Sequence, residues 1–150
     1  MTNTTKRLYL TKEEIIAFTD ENSSYYVRHW ENNTSFFKGW NWAATIFPIQ
    51  WLAFRKMYLE ALIACLMSLG IFIIAAPWGL WGFAFLIYRI LIGAFGNSLY
   101  YQKALRTLNK ITSTTDKNLV NYTLQQKGGV KQIVFVICII LEIVLFFTRF

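Results

Sequence analysis

Two side chains stand out for the chemistry they could do: Arg89 and Glu142, each set inside a run of apolar residues. An ionisable group in such a run is costly unless paired, and in a bilayer it faces protein in preference to lipid. Arg89 lies about ten residues from the turn signal Pro77-Trp78-Gly79, and Glu142 about ten from Lys131, so at ~1.5 Å per helical residue both fall roughly 15 Å deep. They are expected to form an intramembrane ion pair that locks two helices; a proton or ion relay and unpartnered snorkelling are the alternatives. Glu60 falls just inside the start of another apolar run and is expected to pair at the interface with Arg55-Lys56 or with the 97–103 segment. His29 is the single histidine, and Cys65 and Cys138 lack CxxC spacing or a His/Cys cluster. Both thiols are therefore expected to be free, with no metal site and no cofactor. No nucleophile elbow, metal-ligand spacing or phosphate-binding glycine loop is present, so no catalytic residue is expected.

The elements that position these groups follow from hydropathy and punctuation. Residues 1–39 read as a helical head. Thr11-Lys12-Glu13-Glu14 fits a capping box before Ile15, Ile16 and Phe18, and a second short helix is expected between Asp20 and Glu31 with Tyr26, His29 and Trp30 on one face. The head's bases (Lys6, Arg7, Lys12, Arg28, Lys38) balance its acids (Glu13, Glu14, Asp20, Glu21, Glu31). The stretch Trp42 to Phe54 is dense in aromatics but only 13 residues long. A helix of that length reaches roughly 20 Å, short of a ~30 Å hydrocarbon core. Pro48 would also break it near its middle. Segment 40–56 is accordingly expected to be re-entrant or interfacial. Trp40, Trp42, Trp51, Phe54, Arg55, Lys56 and Tyr58 form its aromatic and basic membrane anchor.

Residues 57–76 make a first full span and 80–96 a second, joined by Pro77-Trp78-Gly79. Ala61, Ala64, Cys65 and Ser68 form a small-residue stripe that admits a neighbouring helix, and Gly93 and Gly96 continue that packing surface on the second span. Residues 97–131 carry six bases against Asp116 alone. They read as a basic helical hairpin, the second span running on through Leu105, Leu108 and Ile111, and a further helix from Asp116 to Lys127 ending at Gly128-Gly129. Residues 132–148 are expected to cross as a third, short span, with a surface-lying helix as the alternative. The fold class is thus all-α and integral to the membrane: three transmembrane helices, one re-entrant aromatic segment, a head and a basic hairpin.

Hydrophobic residues make up 55% of the chain and are gathered in blocks, which selects a membrane protein over a soluble domain. The net charge of +7 is assigned to topology and lipid headgroups, not to nucleic acid, because no nucleic-acid motif accompanies it. Residues 1–35 contain no apolar core of signal-peptide length, so a cytoplasmic N-terminus is expected.

Asn41-Trp42-Ala43-Ala44, Trp51, Phe54-Arg55-Lys56-Met57-Tyr58, Gly96-Asn97-Ser98-Leu99-Tyr100-Tyr101 and Gly128-Gly129 resemble the bacterial family called domain of unknown function 2628, over about residues 22–130. The resemblance implies a small, multi-pass protein of the bacterial inner membrane and carries no activity or site residues with it. The chain departs from the pattern at Phe54, where tyrosine is expected, and at Phe47-Pro48, which lacks a preceding glycine. The reading that follows is a non-catalytic membrane protein in contact with lipid, which binds a membrane partner or a second copy in an accessory or immunity-type role. An oligomeric pore or ion-handling subunit built around Arg89, Glu142 and Glu60 is the alternative from another class, and a lipid-acting enzyme using the same three residues is a third.

Overall fold

The computed structural model describes residues 7–31, 33, 35–111, 116–134, 136–137 and 140. Every regular element among them is helical. The chain divides into two compact units, Met1–Gly39 with Asn97–Val130, and Trp40–Gly96 with Lys131–Phe150.

The first unit opens on α1 (Lys12–Thr19), whose start is the expected capping box. The Thr11 hydroxyl accepts the Glu14 N–H at 3.4 Å, while the Glu14 carboxylate accepts the Thr11 N–H at 2.9 Å. Arg7 adds an ion pair to the same carboxylate at 2.7 Å. A 3-10 turn, Asp20–Asn22, leads into α2 (Ser23–Trp30). Helices this short do not hold themselves together in water, so packing must fix them. An aromatic cluster does so: Phe18 and Tyr26 lie 5.2 and 5.4 Å from Tyr100, and Trp30 lies 5.2 Å from Tyr101. Such ring pairs contribute about 0.5–1.5 kcal/mol each beyond the area they bury. Tyr26 and Trp30 face this cluster as their spacing predicts, whereas His29 turns to stack on Tyr25 at 4.2 Å.

Asp116 caps α7 (Lys117–Lys127), accepting the Asn118 N–H at 2.8 Å. The helix ends at Gly128, and the Gly129 N–H donates to the Phe18 carbonyl at 2.7 Å, which joins the basic segment to the end of α1. A Cβ on Gly128 would come within 2.0 Å of that same oxygen. The head and the basic segment, separated by the whole apolar stretch in sequence, are therefore one packed unit.

In the second unit the aromatic stretch is two helices, α3 (Trp42–Ile46) and α4 (Pro48–Phe54). The break falls on Phe47 (φ −128°, ψ 66°) because a residue before proline is pushed out of helical geometry, and Pro48 then opens the next helix, where its missing N–H costs nothing. Helix α4 closes with Lys56 in the left-handed region (φ 57°), its N–H on the Ala53 carbonyl and the Met57 N–H on the Leu52 carbonyl. Helix α5 (Tyr58–Ala75) follows. A 3-10 turn, Ala76–Trp78, and left-handed Gly79 reverse the chain. Helix α6 (Trp81–Ile111) then runs 31 residues without a break, its first half belonging to this unit and its second to the head.

Two helical segments, Tyr58–Trp78 and Trp81–Ile111, are long and apolar enough to cross a membrane. The expected third span, 132–148, lies mostly outside the described residues; those described at 132–134, 136–137 and 140 are helical.

Candidate functional site

The second unit shows what several of the singled-out residues do. Asn41 caps α3, its side chain accepting the Ala44 N–H at 2.9 Å, and its own N–H donates to the Gly93 carbonyl at 2.9 Å. That places α3 directly on the Gly93 and Gly96 face of α6. A Cβ on Gly93 would meet the Thr45 hydroxyl at 1.9 Å, and one on Gly96 would meet Ala44 at 3.2 Å and Trp51 at 3.3 Å. The glycine face thus seats the broken aromatic segment of the same chain. On α5, Ala61 and Ala64 are buried and the Ala64 carbonyl accepts the Tyr88 hydroxyl at 3.0 Å, while Ser68 bonds to the Cys65 carbonyl and Cys65 is exposed.

Arg89 donates to the Ile46 carbonyl at 2.7 Å and stands 5.3 Å from the Phe85 ring centroid. Its positive charge therefore answers a carbonyl at the end of α3, beside the break that Pro48 forces. Glu142, its expected partner, lies outside the described residues, as does Cys138. Glu60 is half-buried in the first turn of α5, where a carboxylate is favoured by the helix dipole, and among the described residues it makes no ion pair. The seven anchor residues separate: Trp42 and Tyr58 are exposed, Trp40, Phe54 and Lys56 are half-buried, and Trp51 and Arg55 are inside. Trp51 is buried because it fills the space left by Gly96.

The head unit contains a cleft of about 890 Å³, within the range of small-molecule sites. Lys38 is its chemical centre. The residue is 4% exposed, and its side chain donates to the Asn33 backbone carbonyl and lies with its Nζ 4.2 Å from the Tyr101 ring centroid. Among the described residues it has no carboxylate partner. Burial pushes its pKa below the 10.5 of an unhindered lysine. The Lys38 N–H donates to the Ser98 hydroxyl, which in turn donates to the Phe36 carbonyl at 2.8 Å, fixing the backbone around it. Trp30 is 2% exposed, and its indole N–H has no hydrogen-bond partner among the described residues. Lys12 and Glu31 complete the cleft's charged lining.

Composition hides this site, since Lys38 counts there only as one of five bases balancing five acids. No local pattern marks it either, because the ring its ammonium lies over, Tyr101, belongs to a distant stretch of the sequence. No group of three or more His, Cys, Asp or Glu side chains that could hold a metal ion occurs among the described residues.

No curated protein and no solved structure matches the chain. A family does match it, over residues 6–106, a reach that takes in the capping box and Lys38 and stops short of α7. The Asn41 cap, the Ala44 and Trp51 contacts with Gly96, and the Asn97 to Tyr101 segment all fall within that range. The chain belongs to the family described as protein of unknown function (DUF2628).

Proposed function

We propose that this is a small, non-catalytic integral membrane protein that holds its helical head on one side of the bilayer to bind a partner. The observation that carries the membrane reading is the uncovered apolar surface of α5. Only 11% of its apolar window is buried, with Leu59, Leu62, Leu66, Phe72 and Ile74 all exposed. The core helix of a soluble protein would be covered, and apolar residues all round a helix suit lipid.

The head's construction supports the path of the chain. Residues 7–39 and 97–130 pack together, so they lie on the same side and an even number of crossings separates them. Helices α5 and the first half of α6 supply two. The aromatic segment α3–α4 then enters and leaves on one side, as its length and its proline demand. The basic residues Lys103, Arg106, Lys110, Lys117 and Lys127 favour the cytoplasmic side for the head unit. This gives a multi-pass protein of a bacterial inner membrane with its head inside. The non-catalytic reading rests on the sequence, where no acid–base or nucleophile constellation appears.

Single-cysteine labelling tests the arrangement in a Cys65→Ser, Cys138→Ser background. Asp20→Cys and Asp116→Cys are expected to react with an impermeant thiol reagent from the same face of intact membranes, and Trp78→Cys from the other. Release of the chain by alkaline carbonate, or labelling of Asp20→Cys and Asp116→Cys from opposite faces, would overturn it. The partner is tested by cross-linking in mild detergent, where a strictly monomeric and uncross-linked chain would leave the binding role without support.

A further inference from the structure

We propose that the head cleft is a binding site for a small, water-soluble organic monoanion with an apolar body, its anionic group held by Lys38. This goes beyond the membrane role above and does not depend on it, because every residue of the cleft belongs to the head unit.

The argument begins with the cost of Lys38. Lys38 is buried as a residue, and a backbone carbonyl and an aromatic face replace only part of the water its ammonium gives up. A protein that needed Lys38 only for packing would keep an apolar residue there. The charge is instead left without a carboxylate partner among the described residues, in the lining of a cleft large enough for a ligand. An anion that enters supplies the missing counter-charge where low dielectric makes the pairing strong. Trp30 is a further residue of the lining, and its buried indole N–H lacks an acceptor among the described residues.

The remaining lining sets the rest of the ligand. Lys12 and Lys38 face a single acid, Glu31, so the balance suits one negative charge and penalises two. Leu10, Tyr101 and Leu105 offer an apolar wall, which selects a carboxylate, sulfonate or phosphate diester on an aromatic or aliphatic body over an inorganic ion.

Ligand-observed saturation-transfer NMR on the full chain in phosphatidylcholine nanodiscs tests this, with empty nanodiscs as the blank. The probes are 1-naphthoate, its neutral isostere 1-naphthalenemethanol, and inorganic phosphate as a competitor. Saturable binding of 1-naphthoate is expected, at least tenfold tighter than the alcohol and not displaced by millimolar phosphate. Lys38→Met is expected to lose at least tenfold of this affinity while its thermal midpoint holds or rises, because the variant sheds a buried charge. Gln102→Trp, which fills the cleft and leaves Lys38 in place, is expected to lose it too. Equal binding of the alcohol by the unaltered protein would overturn the proposal without recourse to any variant, as would undiminished binding in a folded Lys38→Met. Displacement of 1-naphthoate when one fifth of the lipid is phosphatidylglycerol would reassign the cleft to lipid headgroups and overturn the soluble ligand.

Discussion

Lys38 gives the residue scale its clearest test, because its titration carries a sign. Burial lowers its pKa in the folded chain, so between that value and 10.5 the unfolded chain binds more protons than the folded one. Stability from this group is therefore least below the folded pKa and rises as pH climbs towards 10.5. Chemical-denaturation midpoints of the unaltered protein minus those of Lys38→Met are expected to increase across alkaline pH. The subtraction removes the contributions of groups distant from Lys38, and a Tyr101→Phe background removes that of the phenol its ammonium touches. A flat or falling difference would contradict the burial argument. The glycines give a second residue-scale test. Gly128→Ala drives a methyl into the Phe18 carbonyl and is expected to cost about 3 kcal/mol. Gly70→Ala meets nothing within 4 Å and should be neutral or stabilise by up to ~1 kcal/mol. Denaturation of the two variants in one detergent compares them.

Among the elements, the α3–α4 pair shows how local rules and packing divide the work. Pro48 set the break in advance, and the structure puts it at Phe47, the residue that a following proline displaces. Asn41 was legible only as part of a motif; its work as the cap of α3 needed the Ala44 N–H in place. Asn41→Ala is expected to cost about 1 kcal/mol or more in thermal denaturation, and Asn41→Ser to recover most of it, because serine also caps. Equal losses in both variants would show that the cap is not what Asn41 supplies. The small-residue surface was legible as a close-packing face, and its occupant was not. Gly93 and Gly96 admit the chain's own aromatic segment, a pairing of stretches about 50 residues apart that no periodicity encodes.

At the scale of the whole molecule, the head joins two stretches far apart in sequence, Met1–Gly39 and Asn97–Val130, around Tyr100. Tyr100→Ala is expected to destabilise this unit by about 3–5 kcal/mol and to raise tryptic cleavage at the head's lysines. The chain should stay in the membrane pellet, since α5 and the first half of α6 are untouched. Loss of membrane association in this variant would show that the head is needed to hold the chain in place.

The sequence by itself determined where helices start and stop, because capping, proline and glycine act over four or five residues. Thr11 with Glu14, Pro48, Gly79 and Gly128 each do so where expected. It also determined that two long stretches are apolar enough to cross a membrane, since hydropathy is a sum over neighbours. Only the tertiary structure decided which distant groups meet: Arg89 with the Ile46 carbonyl, Trp51 with Gly96, Lys38 with Tyr101. Those partners depend on how separate helices stack, and a side chain's spacing along its own helix carries no record of what packs across from it.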